Sequence, residues 1–506
     1  MLGRTCNVIC VLFLAGGSWS EAVIPLYKHK TQTLLLSWLR QGNVFCLMLQ
    51  LGMKPCVSVK KLCKVFSLIF STFTVLYLIY IVVLMKIALP GSTSTFPLLR
   101  WTESEKPICS QRVTGDTIIK VRNSRTYLIA AYLDLRSGRT VRILGITNRY
   151  EQDILLCDFC LSGTNNTAPV EFDIHTDHFD FPYGTTDLLC RLPDERFPEY
   201  VSIYRMNEPS PTFLKIQIPE TQDQVIPIKF QYDFLVCVST MFGSYNNILQ
   251  FIQSMEMYQV LGAQKVVIYH TDSSLLMKKV LSYYIKLNLV ELVLWPITSF
   301  LNVSTGWHYP EHPGELHYYG QTAALNDCIY RNRYRTKFIA LNDIDELILP
   351  IMHKDWPEMI DSLLRIDPST SVFIYENHVF PTTLHDRMNP LTPSEWASVP
   401  GLNILQHVYR EPNRPGENNP TKMILNPRNV IQTSVHVPLE FIGEQYEVPD
   451  DIAKLCHYRE PKQKDLENDL LIKDDIMLKY EAVLIKRVNR VLNKLRLVKK
   501  ATTKDQ

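Results

Sequence analysis

Hydrophobic positions along the chain fall into three regimes. Residues 65–85 (VFSLIFSTFTVLYLIYIVVLM) carry no charge over 21 positions. At about 1.5 Å per residue a helix of that length matches a hydrocarbon core of roughly 30 Å, so the pattern predicts a membrane-spanning helix. From Thr117 to about Gln224 the runs TYLIAAYLDL, TVRILGI, DILLCDF, YVSIYRM and TFLKIQI are broken by Gly, Asn and Pro, which predicts a separate, mostly β domain. From Gln231 the period changes. Short apolar strands at 234–240, 266–269, 290–294 and 338–341 alternate with helices at 245–261, 275–288 and 315–335, the pattern of a mainly parallel α/β sheet.

The flanks of the apolar run set its expected direction. Lys54, Lys60, Lys61 and Lys64 precede it, against Lys86 and Arg100 after it, so the positive-inside rule places the N-terminus in the cytosol and the rest across the membrane. The chain then reads as a cytosolic tail over 1–64, a signal-anchor span over 65–85, a stem over 86–116, a β-rich lumenal domain over 117–225 and a larger domain over 226–506. A short apolar run at 6–16 after Arg4 could instead be a signal peptide, which would turn the large part toward the cytosol. A start at Met53 suits a signal anchor better and makes 1–52 a variable or spurious extension.

Composition narrows the class. With 46% apolar residues, 21% charged and a net charge of +2, the chain is neither disordered nor a strongly basic nucleic-acid binder. The sequons at Asn165 and Asn302 both fall on the expected lumenal side, where glycosylation is possible. Seven cysteines lie there too (Cys109, Cys157, Cys160, Cys190, Cys237, Cys328 and Cys456), an odd number that leaves at least one without a partner in the chain. No second CxxC accompanies Cys157 and Cys160, so they read as structural thiols or disulfides rather than a zinc or redox site.

The densest chemistry follows the last of the four strands. Asn342-Asp343-Ile344-Asp345-Glu346 stands at its carboxyl end, where ligands bind in doubly wound sheets. If the chain is still extended there, Asp343 and Asp345 face one side and could share a hard divalent cation such as Mg²⁺ or Mn²⁺. An acidic turn or helix cap is the plainer alternative. The segment WHYPEHPGELH holds three histidines and two glutamates, but its prolines forbid a continuous helix, so it reads as a loop over the site. The run 485–500 carries seven basic residues and no acid, the mark of a solvated helix face.

The segments HYYGQTAALNDCIYRNRYRTKF, FIALNDIDELILP, TKMILNPRNVIQTSVHVP and LCHYRE, in this order over about half of the chain, resemble glycosyltransferase family 92. The resemblance implies a GT-A type nucleotide-sugar domain of α/β class, a single-pass type II Golgi membrane protein, and metal-dependent transfer of galactose from UDP-galactose to a β-1,4 linkage on glycans ending in galactose or fucose. The alternative is a silent lumenal lectin or adhesion protein retaining the fold. Asp345 is the expected direct ligand of Mn²⁺ (or Mg²⁺), Asp343 would touch the metal through water or hold the donor's ribose, and His457, or else His436, is expected as a further ligand. Lys422 and Arg428 would neutralise the diphosphate. Asp272 and the Ser239-Thr240 strand end lie where a uridine would sit, and Gln321 and Asn326 could reach donor hydroxyls. Inversion needs a carboxylate base, for which Glu411 is first choice and Glu376 and Asp386 compete. The expected partners are a UDP-sugar, a glycan acceptor and the membrane, with no nucleic acid; a homodimer is compatible.

Overall fold

The computed structural model of the protein describes residues 113–498 except 137, 161–165, 209–211, 219–228, 385–392, 415 and 418, together with a two-stranded ladder of Arg40–Gln41 and Val44–Phe45. The run at 65–85, Asn165 and Asp386 lie outside the described residues. That ladder belongs to the unit Met1–Arg100; everything below concerns the unit Trp101–Gln506.

The first large sheet has nine strands. At its centre Thr126–Asp134, Thr140–Asn148 and Tyr183–Arg191 run antiparallel, the first pair with a register shift between Leu128 and Ala130 and the second in continuous register. One face of this sheet closes its own apolar core around Ile143, Leu188 and Val201, where Cys157 is bonded to Cys190. The other face packs on the second sheet.

The second sheet begins with β1 (Tyr232–Met241), β2 (Lys265–His270), β3 (Val290–Leu294) and β4 (Thr336–Leu341), joined through α1 (Ile248–Val260), α2 (Leu275–Lys286) and α3 (Gln321–Asn332). It continues through β5 (Glu346–Pro350), α4 (Trp356–Ile366), β6 (Thr370–Pro381), β7 (Thr421–Leu425), β8 (Glu444–Glu447), β9 (Ala453–Arg459) and α5 (Glu481–Leu495). Strand order is β3-β2-β1-β4-β7-β6-β9-β5, with β8 against β6. β1 is apolar almost throughout because both its faces are buried. Phe234, Val236 and Val238 point into the layer of α1, α2, α4 and α5, while Leu235 and Cys237 point toward α3 and the first sheet.

The expected fold class, an α/β domain of GT-A type preceded by a mostly β domain and one transmembrane helix, is corrected here. Strands hold 36% of the described residues and helices 24%. The second sheet is mixed: β1 to β4 are parallel neighbours, but β7 runs antiparallel to both β4 and β6, and β5 antiparallel to β9. The strand-helix alternation that suggested parallel pairing stops at Leu341, and after α4 the chain builds the remaining strands without crossover helices. No helix among the described residues is long and apolar enough to cross a membrane.

Element boundaries follow local chemistry. α2 starts where the Ser274 side chain accepts from the Met277 amide, and α4 where Asp355 accepts from the Glu358 amide with a proline in the first turn. α3 starts at Gln321 rather than near Glu315, because Tyr318, Tyr319 and Gly320 all have positive φ (29°, 58° and 69°) and break the helical path.

The Cys237–Cys328 disulfide joins β1 to α3 across 91 residues of sequence. Cys160 is also disulfide-bonded, and Cys456, buried, is the free cysteine among the described residues. Replacing Cys237 and Cys328 together by serine is expected to lower stability by about 2–5 kcal/mol, read from urea unfolding as a lower midpoint, with m rising as the denatured chain loses its crosslink.

Candidate active site

β4 and β5 are linked by the acidic segment, and the link is a turn, not extended strand. The Glu346 amide donates to the Asp343 carbonyl at 3.3 Å. From α1, the Tyr258 hydroxyl donates to the carbonyls of Asp343 and Glu346 at 3.2 Å each, and the Ser254 hydroxyl to that of Ile344 at 2.7 Å. The turn thus presents Asp343 and Asp345 to one cavity of about 1000 Å³, which Phe242, Tyr245, Trp307, Tyr318, Arg459 and Lys462 also line.

Strand register brings the cations to the acids. Leu341 of β4 lies opposite Met423 of β7, so Lys422 falls level with the turn. Its ammonium, 2% exposed, is 2.8 Å from Asp343 Oδ2 and 3.3 Å from Glu346 Oε2. Glu346 of β5 lies opposite His457 of β9. The imidazole spans two carboxylates, with Nε2 3.2 Å from Asp345 Oδ2 and Nδ1 3.2 Å from Glu346 Oε1. Asn377 supplies its amide to the same pair, 2.9 Å from His457 Nδ1 and 3.3 Å from Glu346 Oε1. On the far side Gln321 Nε2 donates to Ser239 Oγ at 2.7 Å and to Asp343 Oδ1 at 3.1 Å. Gln321 Oε1 is buried without a partner among the described residues.

Charge here is concentrated and only partly balanced. Burial works against ionised Asp343, but the adjacent Lys422 ammonium outweighs it and holds the carboxyl below its ordinary range. For Glu346 burial prevails, aided by Asp343 and Asp345, and the carboxyl is raised despite Lys422 and His457. His457 is raised because Asp345 and Glu346 overcome its burial. Burial, then the two aspartates, pushes the Tyr318 phenol up to about 12. Three carboxylates thus face two basic groups, Lys422 and His457, at the pocket floor.

Asp345 and His457 form the donor set best suited to a divalent ion. The 3.2 Å between their facing atoms is close to the separation of neighbouring ligands on an ion with bonds of about 2.1 Å. Asp343 is occupied by Lys422, Gln321 and Ser239. Elsewhere among the described residues, candidate ligand atoms of three side chains, Glu376, His378 and Asp450, all lie within 4.8 Å of one another.

The other sequence-derived candidates separate into two sets. Thr240 and His436 line the cavity, as do His308 and His312 of the histidine-rich loop. Arg428 is drawn elsewhere: its guanidinium donates to the carbonyls of Arg333, Thr336 and Lys337, and burial lowers its pKa to about 10. Asn326 is a structural clamp between α3 and Thr433, giving and receiving hydrogen bonds at 2.8 and 3.0 Å. Glu411 accepts from the amides of Lys462 and Gln463. Glu376 accepts from Asn413 and Asn419. Asp272 is half-exposed beside Ser244 and Lys278, off the cavity lining. The Asn302 side chain is exposed.

Sequence reasoning assigned no role to Glu346, Asn377, Tyr318, Arg459 or Lys462. The first and fourth were marked by adjacency to a chosen residue at strand spacing, Glu346 after Asp345 and Arg459 two beyond His457. Trp307 and Tyr318 gave no signal beyond their loop. Trp307 is boxed in by rings, with His436 stacked 5.5 Å away and His317 edge-on at 4.8 Å. His317 itself stacks on Phe179 at 3.9 Å, and neither ring nitrogen has a hydrogen-bond partner among the described residues.

A family model described as Glycosyltransferase family 92 matches residues 232–503, a stretch that runs from the start of β1 past α5 and contains the whole cavity lining. The β-1,4-galactosyltransferase galt-1 of Caenorhabditis elegans is 23% identical over 378 residues, covering 71% of this chain and 81% of that protein. The glycosyltransferase family 92 protein F13G3.3 of the same organism is 23% identical over 204 residues, 40% of this chain and 38% of its own length.

Two outcomes are expected from this geometry. Lys422→Met leaves two carboxylates unbalanced and should cost about 3–5 kcal/mol in urea unfolding. His317, neutral because burial and then His436 and His308 lower its pKa to about 3, gains a proton in the unfolded chain near its usual 6.5. Stability from this group is therefore complete above about pH 6.5 and falls as the pH drops toward the folded value. His317→Phe should flatten the stability-pH slope between pH 6.5 and 4.

Proposed function

Since this chain belongs to glycosyltransferase family 92, we propose that it transfers galactose from UDP-galactose, with inversion and with a divalent cation, to a β-1,4 linkage on a galactose- or fucose-terminated glycan. The observation that carries the reading is the acid turn: Asp343, Asp345 and His457 converge at the floor of a cavity that lies wholly inside the family's matched stretch. The β-1,4-galactosyl identity leans on the printed activity of galt-1.

A sugar leaving a diphosphate builds negative charge on the departing oxygens. A divalent cation, Mn²⁺ or Mg²⁺, held by Asp345 and His457 would supply Lewis-acid stabilisation of that charge. Lys422 keeps Asp343 ionised and fixed. Gln321 and Ser239 hold the same carboxylate in place from the other side. The remaining task is removal of a proton from the acceptor hydroxyl. Of the carboxylates lining the cavity, Asp343 and Glu346 are bound to Lys422, and Asp345 faces His457. Glu460 is exposed and, among the described residues, accepts only from the Thr382 hydroxyl at 3.3 Å. It is our choice of base, ahead of Glu411 and Glu376, whose oxygens are engaged elsewhere.

Disulfides in both sheets favour an oxidising compartment, consistent with work on the lumenal face of the Golgi. The test is incubation of the purified chain with a panel of UDP-sugars and glycan acceptors, with Mn²⁺ or with chelator. Transfer from UDP-galactose that is lost on chelation is expected. Asp345→Asn should reduce turnover by at least about 100-fold without changing the melting temperature, since the side chain is 36% exposed. A fully active Asp345→Asn enzyme refutes the cation assignment.

A further inference from the structure

The two cations that the sequence offered for a diphosphate are both engaged within the protein. Lys422 is shared between Asp343 and Glu346, and Arg428 is bound to three backbone carbonyls. An anionic nucleotide entering over Asp343, Asp345 and Glu346 therefore needs positive charge from elsewhere as well as from any bound ion.

Two other cationic side chains line the cavity, Arg459 and Lys462. Arg459 ends β9 two residues beyond His457, so strand alternation puts both side chains on one face. Its backbone is fixed: it pairs with Pro381 of β6, and its carbonyl accepts from the Thr382 amide at 2.9 Å. Lys462 is positioned by Glu411, whose buried carboxylate accepts from the Lys462 amide at 2.8 Å and the Gln463 amide at 3.1 Å. Neither the Arg459 guanidinium nor the Lys462 ammonium has an ion-pair partner among the described residues. Two unpaired cations carried on positioned backbone at the rim of an acidic floor offer a site for an anion.

We propose that Arg459, with Lys462 beside it, binds the diphosphate of the sugar nucleotide; this rests on the transferase reading above. The planar guanidinium can take two phosphate oxygens at once, and the ammonium adds a point charge. Glu411 acts through the loop, as a positioning residue for Lys462 and not as the base.

Calorimetric titration of the full chain with UDP, inorganic pyrophosphate and uridine, each in Mn²⁺, tests this. Arg459→Ala should weaken UDP and pyrophosphate by about 10- to 100-fold and leave uridine unchanged. Lys462→Ala should do the same to a smaller extent, and Arg459→Lys should recover part of the loss. If Arg459→Ala lowers the melting temperature, Arg459→Gln is judged in its place. Wild-type affinity for UDP in a folded Arg459→Ala or Arg459→Gln protein overturns the proposal. If the wild-type chain binds neither UDP nor pyrophosphate, the transferase reading itself fails.

Discussion

A single buried ammonium sets the geometry of the acidic turn. Three carboxylates occur within four residues, and their mutual repulsion would open the turn if nothing opposed it. Lys422 reaches in from β7 and neutralises one charge between Asp343 and Glu346. His457 performs a related task between Glu346 and Asp345 from β9. Because the compensation is incomplete, the floor keeps a field that attracts a cation, and this requirement organises the rest of the cavity.

The scaffold explains how three sequence-distant segments meet at that turn. β6 is the connecting strand: Val372 to Glu376 register with β7, and Asn377 to Pro381 with β9, so Lys422 and His457 are held at a fixed offset. α1 supports the turn from below through Ser254 and Tyr258. The first sheet covers the α3 side, where Asp134 binds Arg136, Arg142 and Arg333 in a buried ionic cluster that ties the two sheets together. Each such contact must outweigh the conformational entropy lost in ordering its side chains.

The periodicity of the chain was a reliable guide where both faces of a strand are apolar. β1 to β4 stand within a few residues of the expected runs, and the five apolar runs of the first region all contain strands. Strand pairing was not legible after Leu341, because an apolar run has no directional mark and the connections after β6 carry no α-helix to enforce parallel order. At the site, Asp343, Asp345, Lys422 and His457 were chosen as isolated residues of suitable chemistry. What joins them, the β5–β9 register and the left-handed backbone at Tyr318 to Gly320, depends on contacts far apart in sequence. Arg428 illustrates the converse: a basic residue in a well-placed segment is satisfied by carbonyls of the α3–β4 loop and never reaches the cavity.

In a chain made in the secretory pathway, the Asn302 sequon would bear on the order of events during biosynthesis. Its third residue, Ser304, is fully buried; its hydroxyl donates to the Gly306 carbonyl at 2.8 Å and accepts from the Tyr318 amide at 2.9 Å. An oligosaccharide-attaching enzyme that must read that hydroxyl can do so only before the loop has closed, so occupancy at Asn302 would record how long the nascent segment stays open. Removing the acceptor asparagine would leave this latch intact, whereas removing the serine would unfasten the backbone that carries Tyr318.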